Sequence, residues 1–254
     1  VRMVMQTVSD MSALLGVDEE KRTQWQFIEE HLPDYPLQER NGKTVFRYTE
    51  KGCDWWDGNT LGIQHIYPAG QIGLNSDPKL LEVAYNTVDE MQRWLDSNGS
   101  NSFFPAAVRI GYKPDSILVH LNTYSKHTYP NGFQLKNPHG IENWSTVPNT
   151  INEMLCMGHQ DIVRVFPVWP RGKDASFHQI RVEGAFLVSG EQKGGAVTSL
   201  TLVSEKGRDL TLQNPWKGKK VEITDPVAGK RTVDGDFIKM KTEAGQTYRF
   251  AMGK

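Results

Sequence analysis

The feature that most constrains the fold is a change in the spacing of apolar residues along the chain. Up to residue 158, apolar side chains recur every three or four positions, which is typical of amphipathic helices. From residue 178 the spacing becomes two, in seven short runs separated by turn residues. We therefore predict mixed α and β structure in separate domains, with helices at 1–158 and an antiparallel β-sandwich at 159–254.

The balance of charge changes at the same place. The whole chain has a net charge of −1, but residues 1–158 hold 13 Lys and Arg against 19 Asp and Glu, whereas 159–254 hold 16 against 11. This sign change supports a boundary near 159. The basic residues of the second half are scattered and lack interleaved aromatic rings, so nucleic-acid binding is not expected. No apolar run approaches membrane-spanning length, so no membrane partner is expected either.

Local signals predict several elements. Asn41 and Gly42 form a hairpin-turn pair, with a return strand at 44–48. Asp77 followed by Pro78 is a helix cap and a first-turn proline, and the apolar pattern after them predicts a helix to about residue 97. The β-branched and aromatic run at 162–169 predicts a buried strand.

The residue types limit the chemistry. The two cysteines, Cys53 and Cys156, exclude a disulfide scaffold and a four-cysteine zinc site; they could pair with each other, but free buried thiols are the favoured expectation. Phosphate-loop, zinc-protease and serine-nucleophile motifs are absent, and we expect neither a metal nor an organic cofactor. Carboxylates, amides and aromatic rings on loops remain, and glycoside hydrolysis uses this equipment with two carboxyl groups across the scissile bond.

Two loops combine aromatic rings with carboxylates. Trp56 and Asp57 lie in a loop with two tryptophans between two aspartates. Aromatic faces contact the C–H surfaces of sugars and carboxylates accept hydroxyl hydrogen bonds, although such a loop could equally bury its tryptophans in the core. Glu142, Asn143 and Trp144 form the second group, just before a helix predicted to begin after Trp144. A lone carboxylate there is more often a solvated or capping residue than a catalytic one.

Five segments together resemble glycoside hydrolase family 95, which comprises α-L-fucosidases and related enzymes. They are Gly-Ile-Glu-Asn-Trp at 140–144, Ile-Asn-Glu-Met-Leu at 151–155, the apolar run at 162–170, the strand pattern at 180–188 and Tyr-Pro-Ala-Gly at 67–70. Their order and spacing are similar to those of the family over nearly the whole chain. The resemblance implies the later part of an (α/α)6 barrel, or helical toroid, followed by a β domain.

The resemblance also implies roles for individual residues. Anchored on Glu153-Met154-Leu155, the family's catalytic aspartate falls on Glu142, which is one methylene longer. In the family's inverting mechanism Glu142 would stand on the side that activates water. The following Asn-Phe-Gly of the family is replaced here, and its histidines are not reproduced in register. The predicted substrate contacts are Asn143, Trp144, His139, Trp56, Asp57 and His65.

Because the family's general acid falls upstream of Val1, we expect this chain to be a piece of a glycosidase, with the preceding part of the protein packing on 1–158. The expected substrate is an oligosaccharide or polysaccharide with α-linked sugars such as fucosides, and the expected location is secreted or periplasmic. Two alternatives stay open. One is a glycan-binding protein without catalysis, and the other is a module that docks a partner chain to complete a split helical barrel.

Overall fold

The computed structural model describes residues 1–56 and 58–253, and these form two compact units, Val1–Gly58 and Asn59–Lys254. The helix-to-strand change predicted near 158/159 falls within the second unit, where the last α-helix ends at Leu155 and the first strand of this unit begins at Cys156. The helices of the second unit and the strands that follow them therefore belong to one compact unit, while the division into domains at 158/159 stays a prediction.

The first unit consists of two helices and a hairpin: α1 (Arg2–Leu15), α2 (Glu19–Glu30), β1 (Leu37–Arg40) and β2 (Lys43–Phe46). Helix α1 ends at Gly16, whose left-handed φ of 67° closes the helix with a backbone bond to Ser12. Asn41 and Gly42 connect the two strands with φ values of 50° and 74°, the conformation that an Asn-Gly hairpin turn adopts. The predicted hairpin is therefore confirmed.

The second unit begins with helices: α3 (Pro78–Met91), α4 (Ser100–Arg109), α5 (Pro114–Ser125) and α6 (Thr146–Leu155). The carboxylate of Asp77 caps α3 by accepting bonds from the backbone of Lys79 and Leu80. Helix α3 stops at Met91, so the predicted extension to about 97 is wrong. Gln92 turns left-handed, and the Trp94 ring packs in the core against Phe103, Phe104 and His120.

Antiparallel strands make up the rest: β3 (Cys156–Met157), β4 (Arg164–Val165), β5 (Ala175–Val182), β6 (Phe186–Lys193), β7 (Ala196–Ser204), β8 (Leu210–Gln213), β9 (Val221–Asp225), β10 (Gly229–Val233), β11 (Phe237–Met240) and β12 (Gln246–Met252). Six of them form one sheet in the order β10-β9-β12-β7-β6-β5, and β8 pairs with β11. Inward residues of both sheets share one apolar core, as expected for packed β layers.

Two features of the β region differ from the prediction. The apolar run at 162–169 is largely buried but forms a strand only at β4, because Phe166 has a φ of 52° that breaks the extended backbone. Strand β10 was not predicted, since its exposed sequence lacks two-residue alternation. Mixed helical and antiparallel β structure is confirmed, whereas the helical toroid stays a prediction.

Candidate functional site

Glu142 and Trp144 are presented on a short 3₁₀ turn, Ile141–Ser145, directly before α6. Asn143 lies between them and is 1% exposed, and its side-chain amide donates to the carbonyl of Ser97 at 2.6 Å. The Tyr124 hydroxyl donates to the Asn143 carbonyl at 3.2 Å. Because Asn143 is fixed from two directions, its neighbours Glu142 and Trp144 are held in place while their side chains remain exposed.

A set of side-chain amides ties the loop before this turn to the segment after α3. Gln134 donates to the carbonyl of Asp96 at 3.0 Å, and Asn137 donates to the carbonyl of Ser97 at 3.0 Å. Gly140 fits beneath them, because a Cβ there would lie 2.5 Å from the Asn137 amide nitrogen. The loop thus has defined side-chain bonds that replace a regular backbone ladder.

Trp144 forms one wall of a groove of ≈ 530 Å³. Its indole is 54% exposed and lies over Gly132, where an added Cβ would be 2.7 Å from the ring. Tyr129 is 44% exposed, lines the same groove and accepts the Gly132 backbone N–H in a tight turn. Ser125, Thr128 and Asn131 supply polar atoms. Exposed aromatic rings among hydroxyl and amide groups can contact both the C–H face and the hydroxyls of a sugar.

The Glu142 carboxylate has neither an ion pair nor a hydrogen bond within the described part of the chain. Only its backbone takes part in the local network, where the Ser145 hydroxyl donates to the Glu142 carbonyl at 2.7 Å. A carboxylate that stabilises a fold normally has a charged or N–H partner. Glu142 therefore has no structural task in this network and is free to contact a ligand.

The other predicted contacts occupy different places. His139 is exposed on the loop that leads to Glu142. His65 lies on the segment after the 3₁₀ turn Leu61–Ile63, and burial lowers the pKa of its imidazole to about 4. Trp56 belongs to the first unit, is 50% exposed and stacks with Tyr48 at 6.4 Å between ring centroids. Asp57 lies outside the described residues.

A second cleft of ≈ 480 Å³ lies between α6 and β5, and its charged residues were not singled out from the sequence. The Arg109 guanidinium at the end of α4 donates to both carboxylate oxygens of Glu153 in α6, at 2.8 and 3.3 Å. Arg109 also lies over the Tyr67 ring, 4.6 Å from its centroid, and the Tyr67 hydroxyl accepts a bond from Asn149 at 2.8 Å. These groups form a connected polar network.

Two further groups in this cleft have shifted pKa values. Burial, together with the positive charges of Arg109 and Arg164, lowers the pKa of His159 to about 4. Burial also raises the pKa of Glu183, and the nearby carboxylates of Asp161 and Glu153 add to this effect while Arg109 opposes it. The cleft therefore contains a neutral imidazole and a carboxyl group that holds its proton more tightly than usual.

The sequence contains weak signals for this second cleft. Arg109 is the only charged residue in the otherwise apolar and polar-uncharged helix α4, and Glu153 is the only charged residue in α6, next to buried Met154. Gly158 marks a close approach, because a Cβ there would lie 2.7 Å from the backbone nitrogen of Glu183. None of these signals identifies its partner, since Arg109 and Glu153 are 44 positions apart.

Both cysteines are free, as expected. Across residues 1–56 and 58–253, no three His, Cys, Asp or Glu side chains are grouped in a way that could hold a metal ion. None of the helices in those residues is long and apolar enough to cross a bilayer.

Comparison with known proteins gives similarity to solved structures but no family. No family model matches the chain, and no curated protein matches it. Among solved structures, a GH127 β-L-arabinofuranosidase from Geobacillus stearothermophilus T6 aligns with 13% identity and a TM-score of 0.29. The alignment covers 99% of this chain and 41% of the enzyme, which is a glycoside hydrolase. A TM-score of this size does not establish a shared fold, so the function proposed below rests on the side chains of this chain.

Proposed function

We propose that this chain is part of a glycoside hydrolase that cleaves α-linked sugars, such as fucosides, from glycans. The observation that carries the proposal is the position of Glu142, an exposed and unpaired carboxylate on an anchored turn beside the exposed ring of Trp144. The resemblance to glycoside hydrolase family 95 supports it, because the family's catalytic aspartate aligns with Glu142. The proposed mechanism inverts the anomeric configuration.

In this mechanism Glu142 acts as the general base. Its carboxylate accepts a proton from a water molecule, and that water attacks the anomeric carbon as a carboxylic acid on the opposite side protonates the leaving oxygen. The bonds from Asn143 to Ser97 and from Tyr124 to Asn143 hold the backbone of the turn that carries Glu142. The opposing acid is proposed to come from the preceding part of the protein, which packs on 1–158 to complete a helical toroid.

The groove beside Trp144 is proposed to bind the sugar next to the scissile bond. Trp144 and Tyr129 offer aromatic faces, and His139, exposed on the loop before Glu142, stays a proposed contact. Trp56, Asp57 and His65 remain proposed substrate contacts on their own segments, whereas the buried Asn143 is proposed to act by holding the turn through its bond to Ser97. Since polymeric glycans lie outside cells, we propose a secreted or periplasmic location.

The test is hydrolysis of a panel of α-linked fucosyl oligosaccharides by the protein that includes the proposed preceding part, with the anomer of the released sugar determined by NMR. We expect release with inversion, and we expect Glu142→Gln to lower kcat by at least about 100-fold, because general-base catalysis contributes 10²–10⁴. Glu82→Gln, at another exposed glutamate in α3, is the matched control and should retain full activity. Full activity in Glu142→Gln would remove the role given to this residue.

Two other outcomes would support different functions. Glycan binding that persists in Glu142→Gln, without sugar release by either form, would identify a binding protein. Self-association that increases with concentration, in the absence of glycan binding, would instead favour a module that docks a partner chain. The exposed aromatic groove favours hydrolysis or binding of a glycan over docking of a partner chain, because an aromatic groove with polar atoms is typical of a ligand site.

A further inference from the structure

A third cleft, of ≈ 550 Å³, lies in the β region and is lined by an excess of positive charge. Arg171, Lys217 and Lys219 line it together, and Asp115 is its one acidic lining residue. In the described part of the chain none of the three cations forms an ion pair. Unpaired cations gathered in a concave surface attract anions more strongly than the same charges dispersed on a flat one.

The segments that carry these cations are fixed by buried side chains. Gln192 is 5% exposed and donates to the carbonyls of Pro170 and Lys173, on either side of Arg171. Asn214 is 8% exposed, accepts the backbone N–H of Trp216 and donates to the carbonyl of Lys219. The backbone beneath the cations is therefore preorganised, which lowers the entropy lost when a ligand binds.

Aromatic surface lies in the same cleft. Trp169 is half-buried, and its indole N–H donates to the carbonyl of Lys173 at 3.0 Å, which orients the ring. Trp216 forms part of the cleft floor and donates to the carbonyl of Val197 at 2.9 Å. A cleft with aromatic walls and several cations matches a ligand that has both an apolar face and negative charge.

We propose that this basic cleft binds an anionic saccharide, whose carboxylate or sulfate groups contact Arg171, Lys217 and Lys219 and whose ring packs on Trp169. The saccharide nature of the ligand rests on the proposed function, and the negative charge follows from the cleft. The volume is within the range of small-ligand pockets and holds a short oligosaccharide. A nucleic acid fits less well, because the three cations occupy one cleft and do not follow an extended backbone path.

The experiment is calorimetric titration of the full chain carrying Glu142→Gln, which prevents turnover. The ligands are an oligouronate, a sulfated oligosaccharide, a neutral oligosaccharide of equal length and a single-stranded oligonucleotide. At about 50 mM salt we expect one anionic saccharide to bind at least about 10-fold more tightly than the neutral one, and the difference to shrink at about 500 mM because salt screens exposed charges. The uronate and sulfate arms identify which anionic group is preferred.

Variants locate the binding in the cleft. Lys217→Gln combined with Lys219→Gln should weaken the anionic ligand about fivefold or more and leave the neutral ligand unchanged, because only the charged contacts are removed. The matched control is Lys239→Gln combined with Lys241→Gln, two exposed lysines with the same spacing outside the cleft. Trp169→Ala should weaken binding of the anionic saccharide, because its ring is proposed to pack on Trp169.

Equal affinity for neutral and anionic saccharides, an equal loss in the control pair, or tighter binding of the oligonucleotide would overturn the proposal. Its failure is distinguishable from failure of the proposed hydrolysis. If the cleft variants lose binding while the protein that includes the proposed preceding part releases no sugar, the anionic site stands and the hydrolase does not. If sugar is released and the cleft variants bind normally, the hydrolase stands and the anionic site does not.

Discussion

Replacing Arg109 by methionine would test how far the network between α4 and α6 stabilises the second unit. The side chains of Arg109 and Glu153 are only 12% and 15% exposed, and two hydrogen bonds join them. Methionine retains much of the apolar stem of arginine but removes the charge, so the Glu153 carboxylate would remain largely buried without its partner. Breaking a buried ion pair on one side costs about 3–5 kcal/mol.

The contacts of Arg109 refine this expected loss of unfolding free energy. Partial exposure of both side chains lowers the ion-pair contribution, whereas the contact of Arg109 with the Tyr67 ring adds about 0.5–2 kcal/mol. We expect Arg109→Met to lower the free energy of unfolding by about 3–4 kcal/mol. Arg109→Met combined with Glu153→Leu should recover about 2 kcal/mol of that loss, because no unpaired charge is then buried.

The assay is urea unfolding followed by circular dichroism, together with hydrogen exchange of α4 and α6, which reports on these helices separately from the first unit. Arg181→Met is the matched control, because Arg181 pairs with Glu205 at the surface with 62% and 29% exposure. An exposed pair contributes about 0–1 kcal/mol. If Arg109→Met costs no more than Arg181→Met, or the double variant recovers nothing, the network does not stabilise the fold in this way.

Three further predictions concern other parts of the second unit. Gly132→Ala should destabilise the chain by about 1 kcal/mol or more and weaken glycan binding, because a positive φ and a close Trp144 ring both oppose a Cβ. The control is Gly229→Ala, which has a positive φ but open space and should change stability without changing binding. Thermal denaturation measures the stability of both variants, and titration measures their binding. Because the pKa of His159 is lowered in the folded chain, a fall in pH protonates this histidine in the unfolded chain before the folded one. The free energy of unfolding should therefore decrease as the pH falls from 6.5 toward 4, by up to on the order of 3 kcal/mol. His159→Asn should remove about one proton from the slope of unfolding free energy against pH, and an unchanged slope would contradict this reasoning. Cys156 should resist alkylation at pH 8 in the native protein and react after denaturation, because burial and the nearby Glu153 raise its pKa to about 12. Cys53, the other free thiol, is the control. Labelling of native Cys156 detected by mass spectrometry would refute this prediction.

The elements that were predictable from the sequence are those specified by neighbouring residues. The Asn41-Gly42 turn requires positive φ at both positions, and the Asp77 cap with Pro78 starts a helix through contacts within three residues. The alternation in β6 predicts which residues face the core because successive side chains of a strand point to opposite faces. In each case the determining interaction is local.

The errors arise where distant packing overrides a local pattern. Trp94 continues the apolar period of α3, yet its ring lies against residues of α4 and α5, and the backbone turns at Gln92 to permit this. The run at 162–169 has strand propensity but is used as an irregular buried segment, with Val163 bridged to Leu212 of β8. Propensity describes a pleated, half-buried environment, and this segment does not occupy one.

The difference between local and distant interactions also explains why the site at Glu142 could be predicted from the sequence and the two charged clefts could not. Glu142, Asn143 and Trp144 are adjacent, so their grouping is evident from the sequence, whereas Arg171, before β5, and Lys217 and Lys219, after β8, line one cleft only in the folded chain. Asn143 shows what adjacency cannot predict, because its amide is committed to Ser97 inside the fold. A residue inside a predicted contact group can therefore serve by holding its neighbours in place. Substituting Asn143 should therefore lower the proposed activity of Glu142 although Glu142 itself is unchanged, because the turn that carries its carboxylate would no longer be anchored.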